Sequence, residues 1–165
     1  MSAYLILALV VIQRLGELVY AERNTRALLT RGGVEIGREH YPLFVILHGA
    51  WLVTIATALP HPTPLYWLPL AGYVVLEVGR VWTMLSLGPY WTTRIITVEG
   101  APLVRRGPYR FVRHPNYIVV TGEIAVLPLV FGEVRVAAAF SLLNALLLFW
   151  RIREEERGLA SRRAL

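Results

Sequence analysis

Long apolar segments alternate with short polar connectors along the chain, and this pattern predicts five helices that cross a membrane. A helical crossing needs about 20 predominantly apolar residues, and each apolar segment comes close to that length. We therefore predict an all-α integral membrane protein that forms a single membrane domain over residues 1–165. The predicted spans cover residues 3–20, 41–59, 65–87, 115–131 and 134–157.

Proline and glycine mark where several of these spans begin and end. Three prolines within residues 60–64 cannot continue a helix, and they predict a tight reversal after the second span. Gly88 and the proline after it close the third span, and Pro115 takes the first-turn position that favours proline in the fourth. The connector between these two spans covers residues 90–114, and its loose alternation over 95–98 indicates a short extended segment.

Composition supports a membrane protein and excludes several kinds of site. Hydrophobic residues make up 56% of the chain and the mean hydropathy is +0.52, both above an ordinary soluble domain. All 17 basic residues are arginine and all 11 acidic residues are glutamate, which gives a net charge of +6. The arginines form clusters beside apolar segments, a pattern that disfavours nucleic-acid binding. The absence of cysteine excludes disulfides, thiolate nucleophiles and cysteine-ligated metals.

The distribution of arginine predicts how the spans are oriented, because arginine is retained on the cytoplasmic side of short membrane loops. The first connector, the third connector and the C-terminal tail are rich in arginine. The second and fourth connectors together have only one arginine, Arg135. Five spans satisfy this distribution when the N-terminus is outside and the C-terminus is cytoplasmic. The arginines assigned to the cytoplasm are Arg23, Arg26, Arg31, Arg38, Arg94, Arg105, Arg106, Arg110, Arg113, Arg151, Arg153, Arg157, Arg162 and Arg163.

Five ionisable residues interrupt the apolar spans: Arg14, Glu17, Glu77, Arg80 and Glu123. A charged side chain inside a bilayer is costly unless it is paired or faces a wet cavity. One interpretation is that Glu77 and Arg80, three residues apart on one helix face, neutralise each other and are only structural. The other interpretation is that the whole set converges beneath the arginine-rich connector and forms a polar cavity that opens to the cytosol.

The last span carries polar residues on one helical face. Asn144, Arg151, Glu155 and Gly158 follow one another at intervals of seven, four and three residues, which places them on the same side of a helix. A run of glutamates such as 154–156 is typical of a solvated helix end. Glutamates near a helix C-terminus nevertheless oppose the helix dipole, so a binding partner for them is favoured. We expect the end of this helix to contribute to a site.

Two motifs together make the chain resemble a known family. The first is Gly107-Pro108-Tyr109-Arg110 through Arg113-His114-Pro115-Asn116-Tyr117 with Gly122-Glu123 after it, and the second is Arg151-Ile152-Arg153-Glu154-Glu155-Glu156. Over roughly residues 101–158 the chain resembles the isoprenylcysteine carboxyl methyltransferase family. The resemblance implies a methyltransferase that uses S-adenosylmethionine and releases S-adenosylhomocysteine. It also implies a cytosol-facing cofactor pocket, formed by the connector before the fourth helix and the end of the fifth, and a lipophilic substrate that enters from the bilayer.

The resemblance implies roles for individual residues as well. The residues that match cofactor-binding positions are Leu103, Val104, Tyr109, His114, Asn116, Tyr117 and Glu155. Arg151 matches the arginine that faces the reacting oxygen of the substrate, and it is the candidate catalytic residue. No metal is expected. Ala101 departs from the family, because eukaryotic members have a histidine at that position.

The short spans resemble the small bacterial branch of this family, some members of which methylate hydroxyl groups of long-chain alkylpyrones or alkylresorcinols. We expect O-methylation of a lipid-tailed hydroxyl or carboxyl group at the bacterial inner (plasma) membrane. A phospholipid N-methyltransferase, an NADPH-dependent enzyme similar to sterol reductases, and a non-enzymatic membrane module remain alternatives. Membrane lipids are the expected surroundings, nucleic acid is not an expected partner, and the oligomeric state is left open.

Overall fold

A computed structural model describes residues 3–101 and 103–158, and most of them are helical. The five α-helices are α1 Ala3–Leu29, α2 Tyr41–Ala58, α3 Trp67–Leu87, α4 Pro115–Val130 and α5 Val134–Gly158. Four of them are long and apolar enough to cross a membrane, and α4 is a shorter apolar helix of 16 residues. The mostly helical fold is thus confirmed, with four candidate membrane-spanning helices, while the fifth crossing and the orientation stay predictions. Arg162 and Arg163 of the basic tail lie outside the described residues.

The first helix is longer than the span predicted for it, because α1 continues beyond residue 20 to Leu29. Residues 21–29 contain no proline or glycine and are mostly strong helix formers, so their polarity does not end the helix. Asn24 lies on this extension and is buried. Its Nδ2 donates to the carbonyls of Gly88 at 3.2 Å and Trp91 at 2.9 Å. The extension therefore holds the end of α3 and the start of the connector after it.

A two-stranded antiparallel sheet joins the first and third connectors. The strands are β1 Val34–Ile36 and β2 Ile95–Thr97. β2 lies within the extended segment that the sequence indicates, whereas β1, which has the same length of three residues, was not predicted. An ion pair between Arg94 Nη1 and Glu35 Oε2, 3.4 Å apart, reinforces the contact. The two connectors consequently form one layer beside the helix ends.

Large apolar side chains form the core at the end of the bundle where α1 begins and α4 ends. Trp51 and Ile55 of α2 belong to the same buried cluster as Ile124, Leu127 and Phe131, and none of the five is more than 1% exposed. The outer faces of the helices expose apolar side chains, as expected for contact with lipid. Examples are Leu9, Ile12, Val75, Leu85 and Leu146. The opposite half of the bundle is where polar residues collect.

The five charged residues of the spans form one ion-pair cluster between α1, α3 and α4, in which Arg80 and Glu123 are buried. Arg80 donates from Nε to Glu123 at 2.7 Å and from Nη1 to Glu17 at 3.1 Å. Arg14 lies 3.0 Å from a carboxylate oxygen of Glu17 and 3.0 Å from one of Glu77. The interpretation in which Glu77 and Arg80 neutralise each other is therefore wrong. Each of them pairs across a helix interface instead, so the cluster ties three helices together.

Candidate functional site

The connector before α4 is fixed against the end of α3 by a glycine. Gly107 has a positive φ of 56° and begins the short 3₁₀-helix Gly107–Arg110. A Cβ on this glycine would lie 1.9 Å from Ser86 Oγ and 2.9 Å from Ser86 Cβ. Arg106 adds a hydrogen bond from Nε to the Ser86 carbonyl at 2.7 Å. Glycine is thus required for this close approach, which holds Tyr109 beside the helices.

A cavity of about 460 Å³ lies between the connector, the first turn of α4 and the last turns of α5. We call it the polar cavity, and its volume is typical of small-molecule and cofactor sites. The structure brings all the site residues named from the sequence to its wall: Leu103, Val104, Tyr109, His114, Asn116, Tyr117, Arg151 and Glu155. Residues far apart in sequence therefore meet in one place.

The first turn of α4 meets the end of α5 through Glu155. The hydroxyl of Tyr117 donates to the Glu155 carboxylate, and His114 Nδ1 lies 3.6 Å from the same group. The rings of His114 and Tyr117 stack with centroids 5.2 Å apart and 13° between their planes. Glu154 instead pairs with Arg157 at 2.8 Å. Of the glutamates at 154–156, Glu154 thus forms an ion pair at the helix end, whereas Glu155 lines the polar cavity.

Arg151 lies one turn before Glu155 and is held in place by three neighbours. Its Nε donates to the Tyr117 hydroxyl at 2.9 Å, and its Nη2 donates to the Thr93 carbonyl at 2.7 Å. Its guanidinium carbon lies 5.1 Å from the centroid of the Phe44 ring. Nη1 makes no hydrogen bond to any residue that the structure describes. A fixed guanidinium with one free nitrogen can bind an oxygen atom of a ligand.

Three buried polar atoms in the wall of the polar cavity have no hydrogen-bond partner among the described residues. They are Trp91 Nε1, His114 Nε2 and Asn116 Oδ1. Leaving a buried polar group unpaired costs about 1–3 kcal/mol, so such groups indicate a polar ligand. Burial, and then the negative charge of Glu155, raise the pKa of the Tyr109 hydroxyl. This hydroxyl therefore stays protonated near neutral pH and is available as a donor.

A second cavity, of about 320 Å³, is bordered by α1 and α2 and lined mainly by apolar side chains. We call it the apolar cavity. Three residues of the ion-pair cluster, Arg14, Glu17 and Arg80, also line it. The residues that line both cavities are Trp91, Thr92, Asn116, Tyr117 and Arg151. The two cavities therefore share a wall that includes Arg151.

Sequence reasoning missed several residues that line these cavities. Phe44 and His48 of α2 line the apolar cavity, and Trp91 lines both. A histidine inside an apolar span is a usable signal, because polar side chains are costly in the bilayer and mark sites there. The carbonyl of Thr93, which accepts a hydrogen bond from Arg151, gives no such signal, since every residue type has a carbonyl.

Comparisons with known proteins complement this geometry. Residues 67–161 match the Isoprenylcysteine carboxyl methyltransferase (ICMT) family. The chain is 35% identical over 161 residues to the uncharacterized protein YpbQ of Bacillus subtilis (strain 168), which covers 94% of this chain and 95% of that protein. No solved structure matches the chain. The family match includes every described residue that lines the polar cavity. The chain belongs to the isoprenylcysteine carboxyl methyltransferase family, and this membership indicates a membrane methyltransferase of the general kind.

Proposed function

We propose that the protein transfers the methyl group of S-adenosylmethionine to a lipid-tailed hydroxyl or carboxyl group at the cytoplasmic face of the bacterial inner membrane. The observation that carries this proposal is the wall that the two cavities share, which includes Arg151. A polar cavity suits a charged, water-soluble methyl donor, and an apolar cavity suits a lipophilic acceptor. Direct displacement requires the reacting atoms to lie about 3–3.5 Å apart, so the proposal requires the two cavities to be continuous beside Arg151.

The polar cavity offers the groups that this cofactor needs. When bound, S-adenosylmethionine supplies an activated methyl group on a positively charged sulfur. Glu155 is a carboxylate that can pair with a positive group or accept from ribose hydroxyls. Asn116 Oδ1 is a free acceptor, Trp91 Nε1 is a free donor, and His114 Nε2 can act as either. The residues of the cavity therefore fit a ligand that carries both positive charge and hydrogen-bonding groups.

The apolar cavity supports a lipid-tailed acceptor. Leu15, Leu18 and Val45 line this cavity and are also exposed on the outer surface of the bundle. The cavity is thus open between α1 and α2 toward the region that lipid would occupy, so a tail could enter sideways. Arg151 lines this cavity and the polar cavity, and its Nη1 can orient the acceptor oxygen next to the methyl group.

Transfer of a radiolabelled methyl group tests the proposal. Purified protein in detergent is incubated with labelled S-adenosylmethionine and, in turn, with alkylphenols, alkylpyrones, prenylcysteines and phosphatidylethanolamine. We expect transfer to a long-tailed hydroxyl or carboxyl acceptor. Transfer to phosphatidylethanolamine alone would favour a phospholipid N-methyltransferase, and binding of NADPH without methyl transfer would favour the reductase alternative. A protein that binds neither cofactor would contradict the proposal and favour a non-enzymatic module.

A further inference from the structure

Methylation of a hydroxyl group releases a proton, whereas methylation of an ionised carboxylate does not. A proton acceptor for a hydroxyl substrate would line the apolar cavity, lie near its junction with the polar cavity, and carry a lone pair that no neighbour uses. Within residues 3–101 and 103–158, one side chain of the apolar cavity meets these three conditions and can also take up a proton in neutral solution, which the amide of Asn116 cannot. It is His48 of α2.

The hydrogen bond of His48 determines which ring nitrogen carries the lone pair. Nδ1 lies 2.8 Å from the carbonyl oxygen of Phe44, one turn earlier in α2. A carbonyl only accepts, so Nδ1 carries the hydrogen, and in the neutral ring Nε2 carries the lone pair. Nε2 has no hydrogen-bond partner among the described residues. The ring also packs edge-on against Trp51 with centroids 6.4 Å apart, which restricts its orientation.

The other candidate bases in the wall of the apolar cavity are already in use. Glu17 accepts hydrogen bonds from two arginines of the ion-pair cluster. Tyr117 donates its hydroxyl hydrogen to Glu155. The hydroxyl oxygen of Tyr41 accepts a hydrogen bond from Thr93 at 3.4 Å. The remaining ionisable side chains of this wall are arginines, which cannot accept a proton.

His48 and Arg151 line the same apolar cavity. Phe44 precedes it by one turn on the same face of α2, and the Phe44 ring lies 5.1 Å from the guanidinium carbon of Arg151. Arg151 lines both cavities, and His48 lines the apolar one. A hydroxyl group in this space can therefore meet a charged donor and a free imidazole nitrogen together.

We propose that His48 is the catalytic base when the acceptor is the hydroxyl group of a lipid-tailed molecule. This inference rests on the methyl transfer proposed above. As the acceptor oxygen bonds to the methyl carbon, the methyl–sulfur bond breaks and its electron pair stays on sulfur, which gives S-adenosylhomocysteine. The hydroxyl proton moves to Nε2 of His48, and it passes to water when the products leave.

Two acceptors that share one alkyl tail test the base directly. One is an alkylphenol, which keeps its proton at neutral pH, and the other is its ring-nitrated derivative, which is ionised at the assay pH. We expect His48→Gln to lower kcat on the alkylphenol about 100-fold or more, as for loss of a positioned base. On the ionised acceptor we expect kcat within about threefold of wild type, because no proton has to be removed.

Three further measurements separate this role from a structural one. The affinity of His48→Gln for S-adenosylmethionine, measured by calorimetry, and its thermal unfolding midpoint should equal those of wild type. Added imidazole should restore part of the alkylphenol activity of His48→Gly, since the small base can enter the vacated space. His61→Gln is the matched control, because His61 is exposed in the turn between α2 and α3. It should retain full activity on both acceptors.

The outcomes distinguish the two proposals. No loss on either acceptor, or an equal loss on both, would contradict the role of His48 while leaving methyl transfer intact. A wild-type protein that methylates a fatty acid of the same tail length but neither phenol would also contradict the role of His48, because an ionised carboxylate has no proton to lose. A wild-type protein that methylates none of the three acceptors would contradict the proposed function itself.

Discussion

Arg151 and Glu155 lie one turn apart on the same face of α5, yet they occupy different positions relative to the two cavities. Arg151 lines both cavities, whereas Glu155 lines only the polar one. The guanidinium is therefore next to the acceptor in the proposed reaction, and the carboxylate is next to the positively charged methyl donor. Loss of the Arg151 guanidinium should slow methyl transfer, and loss of the Glu155 carboxylate should weaken binding of the methyl donor.

We expect Glu155→Ala to weaken the binding of S-adenosylmethionine about 10- to 100-fold, because hydrogen bonds to a charged group contribute about 1.5–3 kcal/mol. Arg151→Ala should leave this affinity unchanged and lower kcat about 100-fold or more, as for loss of one preorganised charged donor. Calorimetry in detergent measures the first effect, and the radiolabel assay measures the second. Glu154→Ala is the matched control, since Glu154 pairs with Arg157 at the helix end. Equal cofactor affinity of Glu155→Ala and wild type would refute the assignment.

The clustering of motif residues could be predicted from the sequence, and the place of His48 could not. His114, Asn116 and Tyr117 lie within one helix start, so local geometry alone brings them together. Glu155 could be assigned to the same site because it lies on the polar face of the last helix, where a glutamate near the C-terminus favours a binding partner. His48 lines its cavity only because α2 packs beside α5, and no local pattern in either helix specifies that contact.

Two contacts hold the connector that forms one wall of the polar cavity. The pairing of β1 with β2 fixes its first part, and the approach of Gly107 to Ser86 fixes its second part. Gly100 lies between them and also has a positive φ, but a Cβ there would meet nothing within 4 Å. The two glycines thus share a backbone conformation and differ only in the space around them.

This difference makes a matched pair of substitutions informative. Gly107→Ala and Gly100→Ala should each cost about 1–2 kcal/mol for a left-handed backbone on a residue with a Cβ. Only Gly107→Ala should also displace the connector from α3, so we expect it to lower the affinity for S-adenosylmethionine at least about 10-fold, a loss of about 1.4 kcal/mol. Thermal unfolding measures the loss of stability that the positive φ causes in both variants. Calorimetry measures how far their affinities for S-adenosylmethionine differ. Equal affinities for the two variants would show that the contact with Ser86 does not shape the cavity.

Helix ends could be predicted where proline or glycine interrupts the chain, and they were missed where polarity was the only signal. Pro115 opens α4 as its position in the sequence predicts. The end of α1 lies beyond the predicted one because residues 21–29 are polar yet favour a helix. Their polarity comes from residues such as Asn24, which binds the carbonyls beside the connector instead of solvent.

The whole molecule divides into an apolar half and a half that holds the charged cluster and both cavities. The arginine distribution assigns the second half to the cytoplasm. This assignment agrees with the proposed use of S-adenosylmethionine, a water-soluble compound of the cytosol. It remains a prediction that can be tested without altering the site.

Labelling of single cysteines tests the orientation, and the chain has no cysteine of its own to remove. His61→Cys lies in the turn between α2 and α3, and Arg31→Cys lies after α1. In intact bacterial cells, a maleimide that cannot cross the membrane should label the cysteine at 61, and it should label the one at 31 only after permeabilisation. Both sites are exposed, so accessibility alone does not distinguish them. The reverse pattern would invert the topology and place the cavities outside.

The ion-pair cluster has a consequence for how the protein reaches its final state in the membrane. Arg80 of α3 pairs with Glu123 of α4 and Glu17 of α1, and Arg14 of α1 pairs with Glu77 of α3. A helix released into lipid by itself would lose the ion pairs that its charges form with the other helices, at a cost of several kcal/mol. We therefore expect cooperative biogenesis, in which α1 stays beside the insertion machinery until α3 and α4 have been synthesised and the three then move into lipid as a group.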